Sequence, residues 1–190
     1  MLLSVYQMQT ISQLTNILDT VPLNTKCAVF TLSDLRSILP KLSSDAFKAL
    51  LSRAAKKNIL KRICRGIYTY PSRCQSDGLE LYHVASRLRA HEFNYISLET
   101  ALSDAGIISQ VPMQWITIMS SGRTQTIECA DLGHIEFIHT KKKPADLIGK
   151  LRYDKQCRLW RANIELALAD MKFTRRNLDL IDWSLANELI

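Results

Sequence analysis

Three consecutive stretches decide how the N-terminal part of this chain folds: Thr31-Leu-Ser-Asp-Leu-Arg-Ser-Ile-Leu-Pro40, Ser43-Ser-Asp-Ala-Phe-Lys-Ala-Leu-Leu-Ser-Arg-Ala-Ala-Lys56 and Leu60-Lys-Arg-Ile-Cys-Arg-Gly-Ile-Tyr-Thr-Tyr70. In the first, Thr31 stands where an N-cap belongs and Asp34 follows three residues on, in the manner of a capping box. That opens a helix through Leu35, Ile38 and Leu39, which Pro40 must end. In the second, Ser43 or Ser44 caps a helix whose apolar residues Phe47, Leu50, Leu51 and Ala54 fall at i, i+3, i+4 and i+7. Two short helices joined by a tight turn make a helix-turn-helix pattern. The third stretch holds two β-prone runs joined around Arg65-Gly66 and halted by Pro71, which predicts a hairpin, the wing of such a motif.

Upstream, Leu3, Ile11, Leu14, Ile17 and Leu18 fall near helical spacing, so residues 3–19 are expected to form a first helix. Pro22 and Asn24-Thr-Lys26 should stop it, and Cys27 to Phe30 suits a short strand. Downstream, Pro71-Ser-Arg-Cys-Gln-Ser-Asp-Gly78 is a run of turn formers that reads as a linker. Beyond it, Leu79–Phe93 and Leu98–Ala105 have helical spacing, with Gly106 as C-cap. The period then changes. Gln114–Met119, Thr124–Cys129 and His134–His139 alternate or run apolar over strand lengths and predict a small antiparallel sheet, broken by Lys141-Lys-Lys-Pro144. Helical spacing returns at Leu159–Met171 and around Leu178–Leu189. The expected class is α+β: a winged helix-turn-helix over residues 1–76, then a small mixed domain over 77–190 with an antiparallel sheet and C-terminal helices.

Charge divides along the same line. The net charge of +7 comes wholly from residues 1–76, which hold 11 Lys and Arg against 3 Asp, a surplus of 8. Residues 77–190 hold 14 against 15. Such asymmetry points to a polyanion partner for the first part, and to nucleic acid rather than a membrane because no basic helix carries an apolar insertion face. A solvated basic surface fits the charge equally well; the agreement of helix spacing, hairpin and charge is what favours DNA. On the helix over 43–56, the side away from the apolar residues carries Ser44, Asp45, Lys48, Ser52 and Lys56. Ser44, Asp45 and Lys48, near its N-terminus, are candidates for reading base edges, and Arg53, Lys56 and Lys57 for phosphate contacts. Arg62, Arg65 and Arg73, on or near the hairpin, are candidates to grip the flanking backbone or the minor groove.

Other function classes find little footing. No window is long and apolar enough for a membrane span, and the N-terminus lacks a basic n-region and a small-residue cleavage site, so a cytoplasmic protein is expected. Five scattered cysteines (Cys27, Cys64, Cys74, Cys129, Cys157) show no CxxC or CxH pair and read as reduced thiols, most of them buried. The histidines (His83, His91, His134, His139) show no HExxH. Strand alternation puts His134 and Glu136 on one face and His139 on the other, so they cannot converge without a bulge. No nucleophile elbow, P-loop or dinucleotide fingerprint occurs, and the chain reads as neither an enzyme nor a binder of metal or cofactor. Lys141–Lys143 reads as a solvated loop, or else a contact to nucleic acid or an acidic partner, and the helix from Trp160 as core packing rather than a partner surface.

With that layout in place, the sequence resembles the AbiEi-type antitoxins of abortive-infection, type IV toxin–antitoxin systems. Phe30-Thr-Leu-Ser-Asp-Leu35, continued to Leu60-Lys-Arg-Ile-Cys-Arg-Gly-Ile-Tyr-Thr-Tyr-Pro71, is similar to the family's helix-turn-helix with its "R-G-x-Y" wing. Val84-Ala-Ser-Arg-Leu88, Tyr95-Ile-Ser-Leu-Glu-Thr-Ala-Leu-Ser-Asp-Ala-Gly-Ile-Ile108 and the strands to Phe137-Ile-His139 resemble the start of its second domain. The resemblance covers about residues 28–140. Where the family has "P-E-R-A-L-x-D", this chain keeps Ala167, Leu168 and Asp170 and lacks the proline and arginine. It implies a repressor that binds inverted repeats in its own promoter, as a dimer or a cooperative pair, and neutralises a nucleotidyltransferase-class toxin without a stable complex. A stand-alone regulator whose second domain senses a ligand or dimerises is the alternative.

Overall fold

The computed structural model describes residues 2–22, 27–109 and 114–190, with only the backbone described for residues 2–9 and 27. The expected helix stop at Asn24–Lys26 lies outside the described residues. The chain is mixed α and β and divides into two compact units, Met1–Glu80 and Leu81–Ile190. No helix among the described residues is long and apolar enough to cross a membrane.

In the first unit, helix α1 (Leu2–Thr20) leads to strand β1 (Cys27–Thr31), helices α2 (Leu32–Ile38) and α3 (Ser44–Lys56), and strands β2 (Lys61–Cys64) and β3 (Ile67–Cys74). The strands form one antiparallel sheet in the order β1-β3-β2. Local chemistry sets each boundary. Thr31 and Asp34 close a reciprocal capping box, Asp34 N–H donating to Thr31 Oγ1 at 3.2 Å and Thr31 N–H to Asp34 Oδ2 at 2.7 Å. Ser43 Oγ accepts from Ala46 N–H and caps α3. The turn between the helices is pinned by Arg36, whose Nη2 donates to the Leu42 carbonyl at 2.6 Å while its guanidinium lies over the Phe47 ring. Leu14, Leu18, Leu35, Leu50, Ala54 and Leu60 bury together as the core beneath. Gly66, at φ +81°, makes the hairpin turn, and its carbonyl accepts from Leu32 N–H.

Two expectations change here. Strand β3 does not halt at Pro71 but runs to Cys74. Pairing with β2 ends at Thr69, and the register with β1 is bulged between Cys27 and Val29, so no ladder bond requires an N–H at residue 71. Of the five cysteines, Cys64, Cys129 and Cys157 are buried thiols outside any disulfide, but Cys74 is disulfide-bonded, not reduced. Its backbone stands opposite that of Cys27 in the sheet. Sheet register, which spacing along the chain does not reveal, brings distant positions side by side.

The second unit contains α4 (Glu80–Leu88), β4 (Asn94–Ile96), α5 (Leu98–Asp104), β5 (Trp115–Ser120), β6 (Gln125–Cys129), β7 (Gly133–His139), β8 (Leu151–Asp154), β9 (Leu159–Ala162), α6 (Ile164–Phe173) and α7 (Trp183–Leu189). Its six strands run in the order β6-β7-β5-β4-β9-β8. The sheet is mixed rather than antiparallel, since β5–β7 and β4–β9 pair parallel. Side-chain alternation fixes which residues share a face but is blind to strand order. Tyr95, Thr117 and Glu136 share the face that meets α5 and α6, while Phe137 and Arg161 share the face that meets α4. Gly133 is required where it stands, because at φ +114° an added Cβ would collide with the Gln114 carbonyl.

The helix expected over Leu159–Met171 is instead strand β9 followed by α6, divided at Asn163, whose Oδ1 accepts from Leu166 N–H at 2.9 Å as an N-cap. Leu159 and Ala162 happen to fall at helical spacing, which hid the strand. The last helix is also shorter, starting after its cap Asp182.

Candidate nucleic-acid interface

Helix α3 buries Phe47, Leu50, Leu51 and Ala54 and turns its other face outward. Along that face Ser44, Asp45, Lys48, Ser52 and Lys56 are all exposed. Lys48 and Asp45 lie 3.7 Å apart with side chains 75% and 97% exposed, a pair water screens almost completely. Lys57, the C-cap, is exposed, and α3 stops there because Asn58 takes φ +54° and lets Ile59 N–H return to the Ala54 carbonyl.

A groove of about 390 Å³ runs between α3 and the hairpin, lined by Lys48, Ser52 and Lys56 from the helix and Arg62 from β2, over an apolar floor of Leu32, Leu51 and Tyr68. Lys48, Ser52, Lys56 and Arg62 are therefore brought together. Arg62 is held along its strand by Nε donating to the Cys64 carbonyl at 3.4 Å, and Arg65 is exposed at the hairpin turn. The other arginines are placed differently. Arg53 is half-buried with an Nε that has no hydrogen-bond partner. Arg73 turns back onto α1, its Nη1 donating to the carbonyls of Leu18, Asp19 and Val21 at 2.9, 2.6 and 2.8 Å. It caps a helix C-terminus, a cation where the helix dipole wants one. Beside it Tyr70 donates to Asp19 Oδ1 at 2.8 Å, and burial together with that carboxylate pushes the Tyr70 phenol up from its ordinary value. The floor residues Leu32 and Tyr68 escaped sequence reasoning, although Tyr68 sits in the wing motif and Leu32, 46% exposed, opens α2.

In the second unit the histidines stay apart. Glu136 accepts from Arg176 Nη2 at 2.6 Å and from Trp115 Nε1 at 3.4 Å, and the His134 ring lies 4.8 Å from that of Trp115. His139, on the opposite face, meets the Gly122 carbonyl through Nδ1. His83 is buried with Nε2 on the Gln156 carbonyl, and His91 is exposed. Among the described residues no three His, Cys, Asp or Glu side chains gather as metal ligands.

Two ionic clusters, one around a buried carboxylate and one around a partly buried guanidinium, organise this unit instead. Asp170, fully buried, accepts from Ser97 Oγ at 2.7 Å, Tyr95 hydroxyl at 3.1 Å and Lys142 Nζ at 2.6 Å. Lys142 thus fastens the basic loop to α6 instead of standing in solvent, and burial with the Asp170 charge drives the Tyr95 phenol far up. Arg161 pairs with Asp104 and, at 3.1 Å, with Asp154. Burial pushes the neighbouring Cys157 thiol up to about 12, aided by the Asp154 charge, so it is protonated and inert.

No family model matches this chain, and no curated protein matches it.

Proposed function

We propose that residues 1–80 form a winged helix-turn-helix that grips double-stranded DNA, with α3 in the major groove and the β2–β3 hairpin on the flanking backbone. The groove between helix and hairpin is the observation that carries this reading, because it collects Lys48, Lys56 and Arg62 on one surface of the basic unit. The order helix, strand, two helices and hairpin supports it. Ser44, Asp45 and Lys48 then read base edges, while Lys56, Lys57, Arg62 and Arg65 meet phosphates. Arg53 and Arg73 take lesser parts, since one is half-buried and the other caps α1.

Retardation of the protein's own upstream DNA at several salt concentrations tests this. Lys48→Ala should weaken specific binding more than non-specific binding. Lys57→Ala should weaken both and flatten the salt dependence by about one unit of slope. Failure of the full chain to shift that DNA at low salt would remove the proposal.

For the whole chain, the resemblance over residues 28–140 supports an antitoxin of the abortive-infection type, acting in the cytoplasm and repressing its own operon through inverted repeats. The second unit would counter a nucleotidyltransferase-class toxin without forming a stable complex. An adjacent toxin gene of that class, and rescue of toxin-arrested cells by a Lys48→Ala protein that no longer represses, are the expected results. One observation favours the second reading of a ligand-sensing regulator: a hollow of about 650 Å³ in the second unit, lined by Asp104, Arg152, Asp154 and Arg161, has the volume of a small-molecule site. Operator affinity that changes with a metabolite would select that reading.

A further inference from the structure

Beyond Thr69 the end of strand β3 is held by side chains rather than by a sheet. Among the described residues, 70–73 pair with neither β1 nor β2, because the ladder to β2 ends at Thr69 and the register with β1 passes from Thr69 directly to Cys74. What fastens this stretch is aimed mostly at the end of α1. Tyr70 donates to the Asp19 carboxylate, Arg73 donates to the carbonyls of Leu18, Asp19 and Val21, and Cys74 closes a disulfide. A strand end without ladder bonds keeps Tyr70 and Arg73 in reach of α1 only while its own tip is tethered, so the noncovalent contacts lean on the covalent one.

That end of α1 bears on α3. Leu18, whose carbonyl Arg73 grips, is buried in one cluster with Leu14 of α1 and with Leu50 and Ala54 of α3. On the other side of α3 stand Lys48, Ser52 and Lys56, which line the groove. The seating of α3 therefore depends on α1 staying docked, since a close-packed core transmits a displacement on one of its faces to the other. Strands β1 and β3 provide a second path, because their ends away from Cys74 meet the groove floor. Phe30 pairs with Tyr68, and Leu32, the residue after β1, donates its N–H to the Gly66 carbonyl at 2.9 Å.

Cys74 is only half-buried and precedes exposed Gln75 and Ser76, whereas Cys64, Cys129 and Cys157 are buried thiols outside any disulfide. In the reducing cytoplasm of the proposed function, a disulfide near the surface is the labile, redox-sensing kind rather than a permanent brace. We propose that the Cys74 disulfide is a redox switch on the first unit: oxidised, it keeps α1 docked and α3 seated; reduced, it releases the end of β3 with Tyr70 and Arg73, shifts α1 and α3, and lowers affinity for DNA. The effect on DNA rests on the proposed reading of the groove, and the shift of the helices does not. Exchange with a dissolved thiol carries the chemistry. Its thiolate attacks the disulfide, one protein sulfur leaves and takes up a proton, and a second thiol displaces the other. Two electrons and two protons pass to the protein, and the two small thiols leave joined as a disulfide, which can reverse the step.

The test compares the full chain in oxidised and reduced glutathione buffers. Without DNA, the backbone amide resonances of residues 14–20 and 44–56 should move on reduction, a readout that a fold merely made less stable would leave in place. With the protein's own upstream DNA, reduction should weaken binding about tenfold. Coupling is reciprocal, so saturating DNA should make the disulfide about tenfold harder to reduce, a potential about 30 mV lower for a two-electron couple. Cys74→Ser should resemble the reduced chain in either buffer; should it fail to fold, the reduced parent chain carries the same comparison. Resonance changes confined to the neighbours of Cys74, a Cys74→Ser chain that still answers the buffer, or DNA bound equally well in both buffers would each overturn the switch. Helix resonances that move as expected in a chain that retards no DNA in either buffer would support the switch and remove the reading of the groove.

Discussion

Lys142 shows how far a residue's surroundings outweigh its neighbourhood in sequence. In a run of three lysines before a proline it reads as solvated, yet it is the cation that neutralises the fully buried Asp170. Lys142→Ala leaves that charge uncompensated and is expected to cost about 3 kcal/mol of stability, measured as a shift in the urea midpoint, whereas Lys141→Ala should leave the midpoint where it is. Asp154 makes a pH-dependent prediction. Burial would raise its carboxyl, but the N–H groups of Cys157 and Gln156 and the Arg161 guanidinium outweigh burial and hold it below the usual range. A group whose folded value is depressed stabilises the fold above its unfolded value and loses that contribution as pH falls through the folded one. Acid unfolding should therefore steepen below about pH 4, and less so in Asp154→Asn. At Cys74, reduction of the disulfide is expected to lower the stability of the first unit by about 3 kcal/mol, read by urea unfolding with and without reductant.

At the scale of elements, caps were the most legible signals and strand order the least. Thr31 with Asp34 could be placed from sequence, and Ser43 as one of two candidates, because each boundary is made by residues a few positions apart; at α5 the expected cap Gly106, at φ +77°, instead follows the C-cap Ala105. Thr31→Ala should cost about 1 kcal/mol and loosen α2 without touching the exposed face of α3, a prediction that hydrogen exchange over 32–38 checks. The three strands between Trp115 and His139 were legible for the same reason, as they alternate on their own. Strands β4 and β8 were not. One is three residues long, and the other, Leu151-Arg-Tyr-Asp, is a polar edge strand whose pairing depends on β9. Of the proposed contacts, those on α3 followed from helical periodicity. Arg73 misled because what it caps lies more than fifty residues earlier in the chain.

At the scale of the molecule, the two units differ in what their folding demands of the chain. Every strand pairing of the first unit closes within residues 27–74, so residues 1–80 expressed alone are expected to fold and to retard the same DNA as the full chain, with the salt dependence retained. The second unit is built otherwise: β4, at residues 94–96, lies between β5 and β9, and the β9 side is supplied by residues 159–162. During synthesis, the first unit can be finished on the ribosome while β4 still waits for a neighbour some sixty residues away. Premature stops in the last quarter of the gene would then leave a folded first unit followed by a β4 whose β9 partner is missing. A truncated chain would carry the first unit in its finished form beside an incomplete sheet, which makes the parallel β4–β9 pair the point at which synthesis commits to a folded second unit.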